Sequence, residues 1–177
     1  MSDEEYFKNR GIRDIHYHQM NIWLDHFNPK KILDIGCGMG NLIKAALYYE
    51  VEAYGCDMSV YAIDNAPKEC KGKLRVGEIA KIPFPDKFAD LVICYDVLEH
   101  LNENEVSQAI NELKRVSSKW ILASVCFIGD PNYPLDPSHK TYKSRTWWEH
   151  HFKKQGMKIY EVPNNFMFNH QLVIAEV

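Results

Sequence analysis

The sequence predicts an α/β fold: a doubly wound, mainly parallel seven-stranded sheet with a C-terminal antiparallel hairpin strand. Three observations carry this. Short apolar runs alternate with stretches of helical period along the whole chain. The first run stops at a glycine cluster that opens a helical stretch, as a parallel β-α unit does. The last two strand-like runs follow each other with no helix between them, so one of them runs antiparallel at or near the sheet edge.

The elements follow in order. Glu4 to Phe27 is helical in pattern and rich in aromatics and His. Two readings stand for it: a helix that packs its stripe onto the sheet, or a lid over a ligand. Lys31 to Ile35 is a short buried strand. Asn41 to Glu50 is a helix with Leu42, Ala45, Ala46 and Tyr49 on one face. Ala53 to Cys56 is the second strand, and Val60 to Ala66 a helix stopped before Pro67. Lys73 to Val76 is bounded by Gly72 and Gly77, and Leu91 to Tyr95 is a continuous apolar strand. Asn104 to Val116 is a helix with Val106, Ile110 and Leu113 facing inward, and Trp120 to Phe127 is the fifth strand. A proline-rich loop from Gly129 to Pro137 precedes a helix from Thr146 to Gln155, which Gly156 ends. Lys158 to Val162 and Gln171 to Glu176 close the sheet.

Composition narrows the class. A chain of 177 residues is one domain, 1–177, able to bury a sizeable core without disulfides or structural metal. Within it, residues 1–27 form the N-terminal helical lid segment and 28–177 the core. Five scattered Cys with no C-x-x-C pair argue against a disulfide framework or zinc ribbon. The longest apolar run, Ile121 to Ile128, is interrupted by Ser124 and is too short for a membrane span. Met1 to Asn9 is acidic and polar, without the pattern of a secretory signal. A net charge of −3 lacks the basic footprint of a nucleic-acid binder. The expectation is a soluble, cytoplasmic enzyme with a small-molecule substrate, acting at neither nucleic acid nor membrane, its oligomeric state open.

The segment Asp34-Ile35-Gly36-Cys37-Gly38-Met39-Gly40 closes the first strand and opens the first helix. Ligands of doubly wound sheets bind outside the strands' carboxyl ends, beside the switch in strand order. The dinucleotide fingerprint is G-x-G-x-x-G. Here Asn41 occupies the third glycine's place and the pattern is G-x-G-x-G. Asp34 puts a carboxylate where a cationic group is welcome and a pyrophosphate is not. Both features count against a nicotinamide-dependent oxidoreductase.

The chain at this point resembles the class I S-adenosylmethionine-dependent methyltransferases, in their small single-domain form. Three motifs carry the resemblance in the family's order: ILDIGCGMG from Ile32 to Gly40, GCDMS from Gly55 to Ser59, and the block from Gly77 to Leu101. It covers nearly the whole chain and implies the Rossmann-like methyltransferase fold with S-adenosylmethionine as cofactor. In family terms the cofactor's amino-acid part lies along Gly36, Cys37, Gly38 and Gly40, with Asp34 near its ammonium. Asp57 would accept from both ribose hydroxyls, Met58 would lie against the adenine, and Glu78 with Ile79 would meet its edge. Tyr95, ending the fourth strand, joins this set. The family more often has Asp where Glu78 stands. Ordinary structural uses exist beside these: a helix cap for Asp57, core for Met58, a solvated turn for Glu78.

On the acceptor side, Asp96, Glu99 and His100 stand at i, i+3 and i+4, one face if the segment is helical. Such a set could take a divalent cation, as in some ubiquinone-pathway and small-RNA methyltransferases that resemble it. The same L-E-H-L is common in relatives without one, and no metal is expected. Asp136-Pro137-Ser138-His139 follows the fifth strand. His139 is the favoured general base with Asp136 to orient it, and His100 is the further catalytic candidate. The plain alternative for His139 is fixing its loop. Tyr17, His18 and Trp148 are candidates to hold the acceptor, with Trp23, Trp147 and Phe166 behind them, although aromatic stripes are more often core. His150 and His151 diverge on a helix, and no Cys is read as a nucleophile. The expected reaction is methyl transfer to a hydroxyl of a small molecule such as a sugar or secondary metabolite. N-methylation of a small amine, or a non-catalytic cofactor-binding partner subunit, are the alternatives.

Overall fold

The computed structural model describes residues 3–8, 10–129 and 136–177. The elements are α1 (Asp3–Phe7), α2 (Asp14–Phe27), β1 (Lys31–Ile35), α3 (Asn41–Tyr48), β2 (Glu52–Asp57), α4 (Val60–Asp64), β3 (Leu74–Val76), β4 (Ala89–Tyr95), α5 (Glu103–Val116), β5 (Ser117–Ser124), α6 (Arg145–Lys154), β6 (Lys158–Tyr160) and β7 (Leu172–Glu176). Seven strands form one sheet in the order β3-β2-β1-β4-β5-β7-β6. The first five are parallel to one another, and β7 is antiparallel to both β5 and β6. The expected antiparallel strand is therefore β7, one place in from the edge, with β6 outside it.

Alternation along each strand sorts its side chains to two faces. Leu33, Ile35, Val92, Cys94, Ile121, Ala123 and Val173 point into a core shared with α5 and α6. Ile32, Leu91, Ile93, Leu122 and Ile174 point into a second core, covered by α2 and α3. Helix α5 runs straight into β5, which begins at Ser117 rather than Trp120 because Ala89 pairs with Ser117 across a register shift. The ladder stops at Ser124, short of the expected Phe127.

The N-terminal segment is two helices. Gly11-Ile12-Arg13 separates α1 from α2, so the segment is not one continuous helix. Helix α2 buries Met20, Trp23 and Phe27 on the sheet, while α1 buries nothing and lies elsewhere. The expected helix after β4 is a 3-10 turn, Leu98–His100. None of the described helices is long and apolar enough to cross a membrane.

Candidate active site

Strand order reverses between β1 and β4, and the crevice outside their carboxyl ends is where a doubly wound sheet receives a ligand. A cleft of about 630 Å³ opens there, within the range of small-molecule sites. One end is the glycine loop after β1. Gly36 has φ +78°, and a Cβ on it would stand 2.3 Å from Cγ2 of Val97, so only glycine lets the β1 and β4 loops approach this closely. The Gly36 and Cys37 amides both donate to the Cys56 carbonyl, at 2.8 and 3.1 Å, which anchors the loop to β2.

Asp57 braces the same loop. Its Oδ2 accepts from the Gly38 amide at 2.8 Å and its Oδ1 from the Ser59 amide at 2.9 Å. The helix cap of α4 is Ser59, whose Oγ accepts from the Ala62 amide. Met58 is 75% exposed and lines the cleft with Gly36, Gly38, Asp57, Glu78 and Ile79. A large apolar side chain held out of the core beside a cleft is available to lie on a flat ligand.

The remaining expected cofactor residues lie behind the wall. Cys37 is buried, and burial with Asp34 nearby pushes its thiol well up. Gly40 packs on Cys70 and Leu74. Asp34 is 2% exposed, and burial, with Asp57 adding to it, pushes its carboxyl up to about 8. Tyr95 accepts from Gln19 at 3.2 Å and packs near Trp23, and burial raises its phenol to about 12. Cleft-lining charges are Asp3, Asp57, Glu78, Asp96 and Glu105 against Lys140. That balance suits a ligand with cationic centres and opposes one carrying phosphates. The glycine cradle, the exposed Met58 and this charge fit a sulfonium nucleoside.

The opposite end begins at Asp96, a non-glycine residue at φ +55°. Its Oδ1 accepts from the Ser124 hydroxyl at 2.5 Å, and burial raises its carboxyl. In the 3-10 turn that follows, Glu99 does not share a face with Asp96 and His100. It is 1% exposed, and its Oε1 accepts from the Cys126 amide at 3.1 Å while its carbonyl accepts from the Lys140 and Thr141 amides. Glu99 thus pins the acceptor-side loop, and the three residues make no common ligand face. Its Oε2 is buried without a partner, and burial and Asp96 hold the carboxyl up to about 8.

His100 lines the cleft. Its Nδ1 is 3.0 Å from the Ser138 Oγ, which in turn donates to Asp136 Oδ1 at 2.5 Å. The Ser138 amide donates to the same oxygen at 2.9 Å, and these two bonds hold the Asp136 carboxyl below the usual range. Asp136 therefore orients His100 through Ser138, and what it offers His139 is its carbonyl, 3.3 Å from that residue's amide. His139 packs edge-on against His100, its ring centroid 4.8 Å away. Its Nδ1 is buried without a partner, and burial, then His100, lowers its pKa. Among the described residues, His100, Asp136 and His139 bring possible ligand atoms within 4.8 Å of one another. Ser138 already joins two of these groups by hydrogen bonds, so the arrangement reads as a relay more than a cation cage.

The expected acceptor residues are not at the cleft. Trp148 is fully buried in the core beneath α6, together with Phe152 one turn on. Tyr17 packs edge-on against Tyr48 on the α2–α3 side, and its neighbour His18 is exposed. Trp23 and Phe166 are core, and Trp147 is partly buried against the other core. Residues 130–135 of the expected proline-rich loop lie outside the described residues.

The N-terminal segment expected as a lid meets the cleft through residues that sequence reasoning did not single out. Helix α1 crosses the cleft: Asp3, Tyr6 and Phe7 line it. The Asp3 carboxylate accepts from the Ser59 hydroxyl, Phe7 stacks near Tyr61, and the Arg10 guanidinium lies 3.9 Å from the centre of the Tyr6 ring. The aromatic density of the N-terminus was the available signal, but its weight was placed on Tyr17 and His18.

Residues 33–119 match the family model described as "Methyltransferase domain". The ajmaline N-methyltransferase of Rauvolfia serpentina is 28% identical over 123 residues, covering 65% of this chain and 41% of that protein. A probable tocopherol O-methyltransferase of Oryza sativa is 29% identical over 123 residues, covering 65% of this chain and 33% of its own. The chain thus spans less than half the length of these two curated relatives. The PH0226 protein from Pyrococcus horikoshii OT3 superposes with a TM-score of 0.76 at 20% identity, over 97% of this chain and 98% of that one. Glycine loop, acidic cleft and strand order agree with the family match: residues 33–119 carry a methyltransferase domain, in a chain with the fold of the class I S-adenosylmethionine-dependent enzymes.

Proposed function

We propose that the protein transfers a methyl group from S-adenosylmethionine to a hydroxyl of a small molecule, such as a sugar or secondary metabolite. The observation that carries this is His100, an imidazole facing the cleft across from the glycine loop and held from behind by Ser138 and Asp136. S-Adenosylmethionine supplies a methyl already activated on a sulfonium. The chain has to orient the acceptor and take its proton. Gly36, Gly38 and Asp57 would hold the cofactor end, and Met58, Glu78 and Ile79 its adenine. With the cofactor bound, His100 would take the acceptor's hydroxyl proton as the S–CH₃ bond gives way to the O–CH₃ bond, and S-adenosylhomocysteine would leave as the neutral thioether. His139, with its lowered pKa, stays neutral behind it and adds no second positive charge. Tyr6 and Phe7 roof the cleft and exclude water.

A second reading is N-methylation of a small amine. The acidic lining at Asp96 and Glu105 favours it, and one relative is named an N-methyltransferase. The two separate on methyl incorporation from labelled cofactor into panels of sugars, phenols and amines, with wild type and His100→Gln. Loss of the base should lower turnover with a hydroxyl acceptor by roughly 10²–10⁴-fold and leave binding of S-adenosylhomocysteine nearly unchanged. Undiminished turnover in His100→Gln removes the base. Incorporation confined to amines moves the assignment to nitrogen. No incorporation without a co-purifying protein would favour a partner subunit.

A further inference from the structure

We infer that Ser138 is a positioning residue that fixes His100 as its Nδ1–H tautomer and so leaves the Nε2 lone pair for the acceptor's proton. The inference deepens the reading of His100 as base and rests on it for its catalytic meaning. Counting protons carries it. Asp136 Oδ1 lies 2.5 Å from Ser138 Oγ and also accepts the Ser138 amide. An ionised carboxylate only accepts, so Ser138's single hydroxyl proton is committed to Asp136. Ser138 Oγ can then meet the His100 Nδ1, 3.0 Å away, only as an acceptor. The proton between them belongs to the imidazole. The tautomer of a histidine is set by the bond its other nitrogen makes, and here Nδ1 makes that bond to Ser138.

The surroundings agree. His100 is faced by Asp96 from the end of β4 and by Asp136 and His139 from the loop after β5, while Glu105 and Lys140 stand with it around the cleft. His139 offers His100 a ring edge rather than a hydrogen bond. Nothing in that set competes with Ser138 for Nδ1 in the described structure.

The test needs no acceptor. Long-range proton–nitrogen spectra of chelator-treated, S-adenosylhomocysteine-loaded protein report the tautomer of each neutral imidazole. His100 is assigned by loss of its signals in His100→Gln, at a pH where its own titration shows it neutral. The expected wild-type pattern is Nδ1–H. Ser138→Ala should invert it to Nε2–H, the form imidazole prefers without a partner at Nδ1, and Ser138→Thr should keep Nδ1–H. If the alanine variant does not fold, Ser138→Cys, nearly isosteric with a weak acceptor, should lose most of the Nδ1–H population. Nε2–H in the wild type overturns the inference, and so does Nδ1–H that survives in a folded alanine or cysteine variant. These results are independent of turnover. A wild-type Nδ1–H signal with an undiminished His100→Gln enzyme would remove the base and keep the tautomer assignment.

Discussion

Binding of the cofactor should expel a proton from Asp34. The carboxyl is 2% exposed behind the glycine loop, and burial with the nearby Asp57 charge raises it to about 8. At pH 7 such a group is about 0.9 protonated. An ammonium brought to the loop reverses the local balance, and a nearby opposite charge lowers a carboxyl by about 1–3 pH units. The bound-state value then falls between about 5 and 7, and binding at pH 7 releases between about 0.4 and 0.9 proton. Titration calorimetry with S-adenosylhomocysteine in buffers of different ionisation enthalpy measures this number directly. The sign for affinity follows: a proton must leave, so binding tightens as pH rises toward 8 and levels off above it. Asp34→Asn should abolish the release and flatten the profile. Release near zero in the wild type, or release unchanged in Asp34→Asn, would refute the assignment of Asp34 to the cofactor's cationic end.

Other outcomes are equally specific. Gly36→Ala should lose S-adenosylhomocysteine binding and cost more than about 2 kcal/mol by chemical denaturation, since the left-handed backbone alone costs ~1–2 kcal/mol and the stiff Val97 stands in the Cβ's place. Glu99→Gln should be tolerated and should flatten the dependence of stability on pH. The folded carboxyl keeps its proton up to about 8 while the unfolded one loses it near its ordinary value, so folding takes up a proton in between and wild-type stability falls as pH rises through that window. The ceiling on this effect is about 5 kcal/mol, read by denaturation from pH 5 to 8. Trp148→Ala should cost roughly 3–5 kcal/mol with cofactor affinity per folded molecule preserved. Trp148→Phe should cost far less, because the indole N–H it removes is buried without a partner. A folded, fully stable Trp148→Ala would contradict the core placement.

Much of this architecture was legible because the two periodicities of the chain are clean. Val92 and Cys94 alternate with Leu91 and Ile93, and the structure sends them to opposite cores. The glycine loop was legible for a similar reason, since Gly36 answers to a backbone conformation rather than to a partner far away. What failed depended on direction in space. Trp148 and Tyr17 are the same residue types whether they line a cleft or fill a core, and only the packing of α6 and α2 decides. The i, i+3, i+4 spacing at Asp96, Glu99 and His100 presumed a helix, whereas the left-handed Asp96 and a 3-10 turn rotate Glu99 inward. Ser138 was passed over between two more conspicuous neighbours, because a hydroxyl acquires a role only through the atoms on either side of it.

The placement of β7 bears on how the chain is built as well as on what it builds. Among the described residues, strand β6 touches the sheet through β7 alone, with Lys158 opposite Glu176 and Tyr160 opposite Ile174, and β7 reaches the sheet through β5. Translation delivers these strands as β5, β6, β7, while pairing can only add them as β5, β7, β6. During synthesis β6 waits with open edges, and β5 keeps an apolar flank uncovered, until residues 172–176 have left the ribosome. That interval is when such a chain is most exposed to wrong pairing, and the brevity of β6, three residues long, limits what an unwanted strand could find there.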